Sequence, residues 1–138
     1  MISRSDAQRI KAQVLVWWIC WVSILGGLVV IYLFLGRGPP KPAAVSDLPV
    51  NLSGVVPLFV SIIIRWLVLP RSTKLKSAFA MFITGLVLAE ACGMLGIFLG
   101  GPYRDSLCVL GVLGVTQYMP FYARRFFEPR SSGFIPKN

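Results

Sequence analysis

The sequence predicts an all-α membrane protein in which four helices cross the bilayer as two antiparallel hairpins, with the N and C termini both cytoplasmic. Three observations carry this. Four apolar runs of about membrane length are separated by polar or proline-bearing links. Hydrophobic residues make up 56% of the 138 and charged residues only 14%, where soluble domains carry about 25% charged. The basic residues stand at the ends of the apolar runs and are concentrated in alternate links.

The first run, about 14–36, has no charge. It is longer than the roughly 7–15 apolar residues of a secretory signal, and Ala44-Val45-Ser46 is a marginal cleavage site, so a retained span is expected. Arg37-Gly38-Pro39-Pro40-Lys41-Pro42 cannot continue the helix, because its prolines fix φ and remove donors. An exposed loop to Asn51 is expected. The second run, about 52–69, carries Arg65, and Pro70–Lys76 reads as a basic turn. The third, about 77–100, carries Glu90 and ends at the tight turn Gly101–Asp105. The fourth, about 107–123, is the shortest, and Pro120 kinks or ends it. About 20 helical residues span ~30 Å of hydrocarbon, and helices are required because lipid offers no partner for backbone amides. Residues 1–123 thus form a single membrane domain. The basic tail 124–138 is rich in Pro and Ser and is expected to be poorly ordered.

Orientation follows from the basic residues. With four spans, ten fall on one side: Arg4, Arg9, Lys11, Arg71, Lys74, Lys76, Arg124, Arg125, Arg130 and Lys137. Three fall on the other: Arg37, Lys41 and Arg104. The richer side is cytoplasmic. Trp17, Trp18, Trp21 and Trp66 lie towards it, at the level indoles prefer. A faint repeat accompanies this pattern, since Phe34-Leu35-Gly36-Arg37-Gly38-Pro39 and Phe98-Leu99-Gly100-Gly101-Pro102 both close helices running outward.

Composition also excludes functions. The net charge of +9 belongs to lipid headgroups rather than nucleic acid, because it does not line a soluble face with free aromatics. There is no histidine and only five carboxylates, so no enzyme, metal site or cofactor is expected. Cys20, Cys92 and Cys108 show no CxxC spacing and read as small buried hydrophobes. Ser23 and Ser61 have no adjacent base and are expected to bond their own helix backbone.

Glu90 is the residue most suggestive of function. A carboxylate near the bilayer centre costs ~2.5–3.5 kcal/mol or more, so it should face protein or water and be paired or protonated. It is either a proton or cation site or a protonated link between helices. Gly85, Ala89, Gly93, Gly96 and Gly100 share one face of its helix and include a GxxxG, a packing surface for another helix. Glu90 sits on the shoulder of that strip. Counting rise from the outer turn makes Gln117 the first choice of partner, with Arg65 second. Arg65 is expected instead to snorkel towards Arg71 and the headgroups.

Two resemblances arise at Gly85-Leu86-Val87-Leu88-Ala89-Glu90-Ala91-Cys92-Gly93-Met94-Leu95-Gly96. The hairpin 52–100 resembles the proteolipid c subunit of rotary ATP synthases, in which a basic turn precedes a membrane carboxylate; Arg71 and Glu90 match, and the resemblance implies an ion-binding Glu90. The sequence departs from that family in having four helices and, in 52–69, only Gly54 of the family's glycine pattern. The whole chain is similar to a loose group of small bacterial four-helix membrane proteins whose third helix reads Leu-x-Glu-(Gly/Ala)-x-x-x-x-Gly, as Leu88 to Gly96 does. That likeness implies the architecture and no activity. The expected role is a non-enzymatic accessory or structural component of a bacterial inner membrane. Its expected partners are the lipid bilayer and, through the third helix, a second copy or another membrane protein. The alternative is a small proton- or cation-coupled transport component using Glu90.

Overall fold

A computed structural model describes residues 4–39 and 48–121, and among these residues the protein is all-helical with no strand. The elements are α1 (Arg4–Leu35), a single turn α2 (Leu48–Asn51), α3 (Val55–Ile63), α4 (Leu75–Leu99) and α5 (Arg104–Thr116). The tail 124–138 lies outside the described residues, as do the loop positions 40–47.

Three helices, α1, α3 and α5, differ from their expected bounds for local reasons. α1 starts about ten residues before its apolar run, because Arg4–Gln13 contains no Pro or Gly and many good helix formers. α3 does not stay α-helical. It passes through a π-type turn, Ile64–Val68, into a 3-10 turn, Leu69–Arg71, and the Leu69 N–H reaches back to the Ile64 carbonyl. Pro70 has no N–H to give Trp66, so the regular ladder cannot continue there. α5 begins at Arg104 rather than 107 and stops at Thr116 rather than 123. An α-helix would need the N–H of residue 120 for the Thr116 carbonyl; Pro120 lacks it, and the Met119 N–H takes that carbonyl instead at 3.0 Å. The turn from α4 into α5 needs Gly101, whose φ of 51° disfavours other residues.

The packing is built around α4 and α5, which run antiparallel in the closest contact of the fold. A Cβ added at Gly111 would lie 2.7 Å from the Gly93 backbone nitrogen, and one at Gly96 would lie 2.5 Å from Leu107 Cβ. α3 runs antiparallel to α4 on one flank, where Leu58 reaches over Gly114 and Gly54 meets the Cys92 carbonyl. α1 runs parallel to α4 on the other flank, where Leu28 seats over Gly93 and Trp17 stacks on Phe82 with centroids 4.6 Å apart. α1 and α3 have hardly any contact with each other. The expected pair of hairpins is therefore corrected: the second hairpin is packed, whereas the first is opened around it.

Two helical stretches, Ile10–Leu35 and Leu75–Leu99, are long and apolar enough to cross a membrane. Large apolar side chains also face outward on the shorter helices, among them Val56 (67% exposed) and Phe59 on α3, and Val109 and Leu113 (59%) on α5. The interior holds the small residues: Gly85, Ala89, Gly93, Gly96, Gly111 and Gly114 are buried.

Gly111→Ala should lower stability by about 1–3 kcal/mol by forcing α5 off α4. Gly26→Ala, where an added Cβ meets nothing within 4 Å, should leave stability unchanged or raise it by up to about 1 kcal/mol. Thermal unfolding of both variants in detergent checks the contrast.

Candidate functional site

Glu90 lies at the seam between α4 and α1. It is half-buried, and Gly27 of α1 is its nearest opening: a Cβ there would stand 3.9 Å from Glu90 Oε1. Among the described residues the carboxyl has no hydrogen-bond or ion-pair partner. The small residues of α4 do not face the same way. Gly85 is covered by Tyr118, Ala89 by Gly114, Gly93 by Gly111 and Leu28, and Gly96 by Leu107, while Gly100 closes on Arg104. That strip is filled from within the chain.

Neither expected partner reaches Glu90. The contacts of Gly111 with Gly93 and Gly114 with Ala89 set Glu90 level with Leu113 and Gly114. Gln117 therefore lies about one turn, ~5 Å, below it. The expectation placed the start of α5 at Leu107, three residues late, and so raised Gln117 to the wrong level. Arg65 is lower still. The Ser61 contact with the Gly85 carbonyl sets Arg65 near Met81, about 13 Å from the level of Glu90.

Arg65 and Gln117 instead meet each other. Arg65 Nε donates to the Gln117 carbonyl at 2.7 Å, and its guanidinium stands over the Trp66 ring, 5.5 Å from the centroid. Trp66 Nε1 donates to Gln117 Oε1 at 3.3 Å. The expected snorkelling of Arg65 is thus corrected. The π-type turn presents Arg65 to the C-terminal end of α5, where a cation complements the helix dipole and takes an orphan carbonyl. Trp21 adds a neutral donor from α1: its Nε1 donates at 2.9 Å to the Val115 carbonyl, which also accepts the Tyr118 N–H at 3.0 Å.

A second polar cluster joins three helices or their ends. Ser61 Oγ donates to the Gly85 carbonyl at 2.8 Å, and the Tyr118 hydroxyl donates to the Ser61 carbonyl at 2.6 Å. Ser61 thus bonds across to α4, not within its own helix as expected; Ser23 is exposed. Cys92 and Cys108 are buried free thiols and Cys20 is half-buried. Sequence reasoning missed Trp21 and Tyr118 in these roles. Their signal was available: each is a large apolar residue with one polar atom, which seeks a partner when buried.

At the far end of the bundle the Tyr32 hydroxyl donates to Asp105 Oδ1 at 3.1 Å, and Arg104 Nε donates to the same oxygen at 3.1 Å. The Arg104 hydrogen bond, then that of Tyr32, holds the Asp105 carboxyl below the ordinary carboxylate range. This contact fastens the end of α1 to the start of α5.

The chain matches no protein-family model, and neither the curated proteins nor the solved structures contain a significant match to it. The reading of its function therefore rests on this geometry.

Arg65→Met should destabilise the protein by about 1.5–3 kcal/mol, the range for a hydrogen bond to a charged group. Arg65→Lys should restore only part, because a compact ammonium does not reproduce the planar fork. Denaturant unfolding in micelles measures both. The Asp105 contact gives stability that is present above the ordinary carboxylate pKa and is lost as pH falls through the lowered folded value. Asp105→Asn should abolish that acid-side loss, read as the pH dependence of unfolding.

Proposed function

We propose that the chain is a non-enzymatic accessory or structural protein of the cell membrane, crossing the bilayer with four helices and keeping both termini in the cytoplasm. One observation carries the reading: the bundle is apolar outside on all four main helices and small-residued inside. Contiguous apolar surface of that extent marks contact with lipid or protein rather than water, and glycine-lined contacts are how helices associate where water supplies no drive. α5 is short at 13 residues, about 20 Å. Its C-terminal carbonyls meet donors from Arg65 and Trp21, which lets a helix end at membrane depth. The exposed Lys11, Arg71, Lys74 and Lys76 share one end of the bundle with Gln13 of α1, and this supports the cytoplasmic placement of that end.

A second reading has one observation in its favour. Glu90 is a carboxyl at membrane depth with no protein partner among the described residues, and such residues mark ion or proton pathways. On that reading the chain is a small proton- or cation-coupled transport component.

Single cysteines placed in a cysteine-free variant decide the topology. Gly38→Cys should react with an impermeant maleimide on intact cells, and Thr73→Cys only after permeabilisation. Labelling of Thr73→Cys from outside would remove the α3 span and overturn the proposal. Glu90→Gln decides between the two roles, because it keeps the hydrogen bonding of a protonated carboxyl but cannot titrate. Proton flux into proteoliposomes should be the same for parent and Glu90→Gln. Flux in the parent, lost in a variant that folds normally, would replace the accessory role with transport.

A further inference from the structure

The link between α3 and α4 lines an open surface pocket that is more polar than the one bounded by Gln13, Trp17 and Phe79. It has a volume of about 300 Å³ and is lined by Arg71, Ser72, Thr73, Lys74 and Ser77 above an apolar floor. That is the lower end of the ~300–1,000 Å³ of small-molecule sites. The lining holds two cations and three hydroxyls and no carboxylate. Arg71 and Lys74 are both exposed and neither forms an ion pair with a described residue. Of the hydroxyls, Ser72 makes a long bond to the Val68 carbonyl at 3.4 Å, while Thr73 and Ser77 make none with a described residue. Every side chain that lines the polar wall is therefore a hydrogen-bond donor with capacity to spare. The first turn of α4 adds to the same character: Lys74 precedes it without a side-chain cap, leaving backbone N–H groups directed out of the helix.

We propose that this cavity is a binding site for a phosphate group, carried by an anionic phospholipid headgroup or free in solution. The chemistry selects it. A phosphate has several acceptor oxygens, which match guanidinium, ammonium and hydroxyl donors together. A cation is excluded by the two positive side chains and by the lack of any carboxylate in the lining. Basic pockets at the cytoplasmic ends of membrane helices take lipid headgroups for the same reason. The Pro70 break shapes the site, because it ends α3 in a tight turn that brings Arg71 round to face the start of α4. This inference concerns the geometry of the turn and goes beyond the accessory role.

The test is native mass spectrometry of the full chain in detergent, offered phosphatidylglycerol, phosphatidylcholine and oleate at equal concentration. Phosphatidylglycerol should be retained above both, and its retention should fall roughly tenfold or more in Arg71→Ala/Lys74→Ala. Lys11→Ala/Arg37→Ala, which removes the same charge elsewhere, should bind as the parent does. Ser77→Leu fills the cavity and keeps both cations, so it should also lose the lipid. Displacement of the bound lipid by millimolar inorganic phosphate would identify a site that accepts free phosphate, and persistence would identify one that requires the headgroup; either supports the phosphate class. Equal retention by the parent and Arg71→Ala/Lys74→Ala, equal loss in the Lys11/Arg37 control, or equal binding of oleate would overturn it.

Discussion

Where Gly93 meets Gly111 there is no side chain between α4 and α5: an added Cβ on Gly111 would stand 2.7 Å from the Gly93 nitrogen. The other contacts follow from this approach. With the two backbones this close, the groove on one side of them accepts Leu28 of α1, and the groove on the other accepts Leu58 of α3. In the proposed membrane setting the bundle has no water-driven reason to collapse, since lipid tails are as apolar as leucine. Close van der Waals contact and a few polar links must hold it instead. Both are concentrated on the α4–α5 pair, which also explains why α1 and α3 need not touch each other.

The polar links sit where helices end. On the proposed four-span reading α5 is too short to carry its C-terminal carbonyls to the headgroups, and Arg65 and Trp21 supply donors to them. The irregular turn in α3 is part of the same arrangement, because it is what turns Arg65 towards Gln117. Ser61 and Tyr118 close the gap between α3, α4 and the chain leaving α5. Glu90 stands apart from all of this. It faces the opening left by Gly27 and joins none of these networks among the described residues. That isolation is what gives the ion-coupled reading its weight beside the accessory one.

Much of the architecture was legible in the residues. The four helices lie on the four apolar runs, and the face formed by Gly85, Ala89, Gly93 and Gly96 is where another helix packs. What could not be read was register between helices. Depth counted from an assumed helix start is wrong by 1.5 Å for each residue of error, and the three-residue error at Arg104 sufficed to give Glu90 a partner it does not have. Arg65 escaped for another reason. A sequence shows that Pro70 breaks the ladder, but not that the break takes the form of a wider turn aimed at the end of α5. Trp21 reads as an interface aromatic; that it and Tyr118 each need a polar partner is legible, but the partners, the carbonyls of Val115 and Ser61, have no sequence signature.

Four spans require lipid around the two short helices as well as the two long ones. The most direct test is spin-label accessibility in reconstituted bilayers at Val56 and Phe59 on α3 and at Val109 and Leu113 on α5, using oxygen as the lipid-soluble relaxant and a nickel chelate as the aqueous one. A four-span bundle should give strong relaxation by oxygen and weak relaxation by the chelate at all four positions, with the reverse at Lys74. Strong relaxation by the chelate at Val109 and Leu113 would put α5 in water and contradict the four-span bundle.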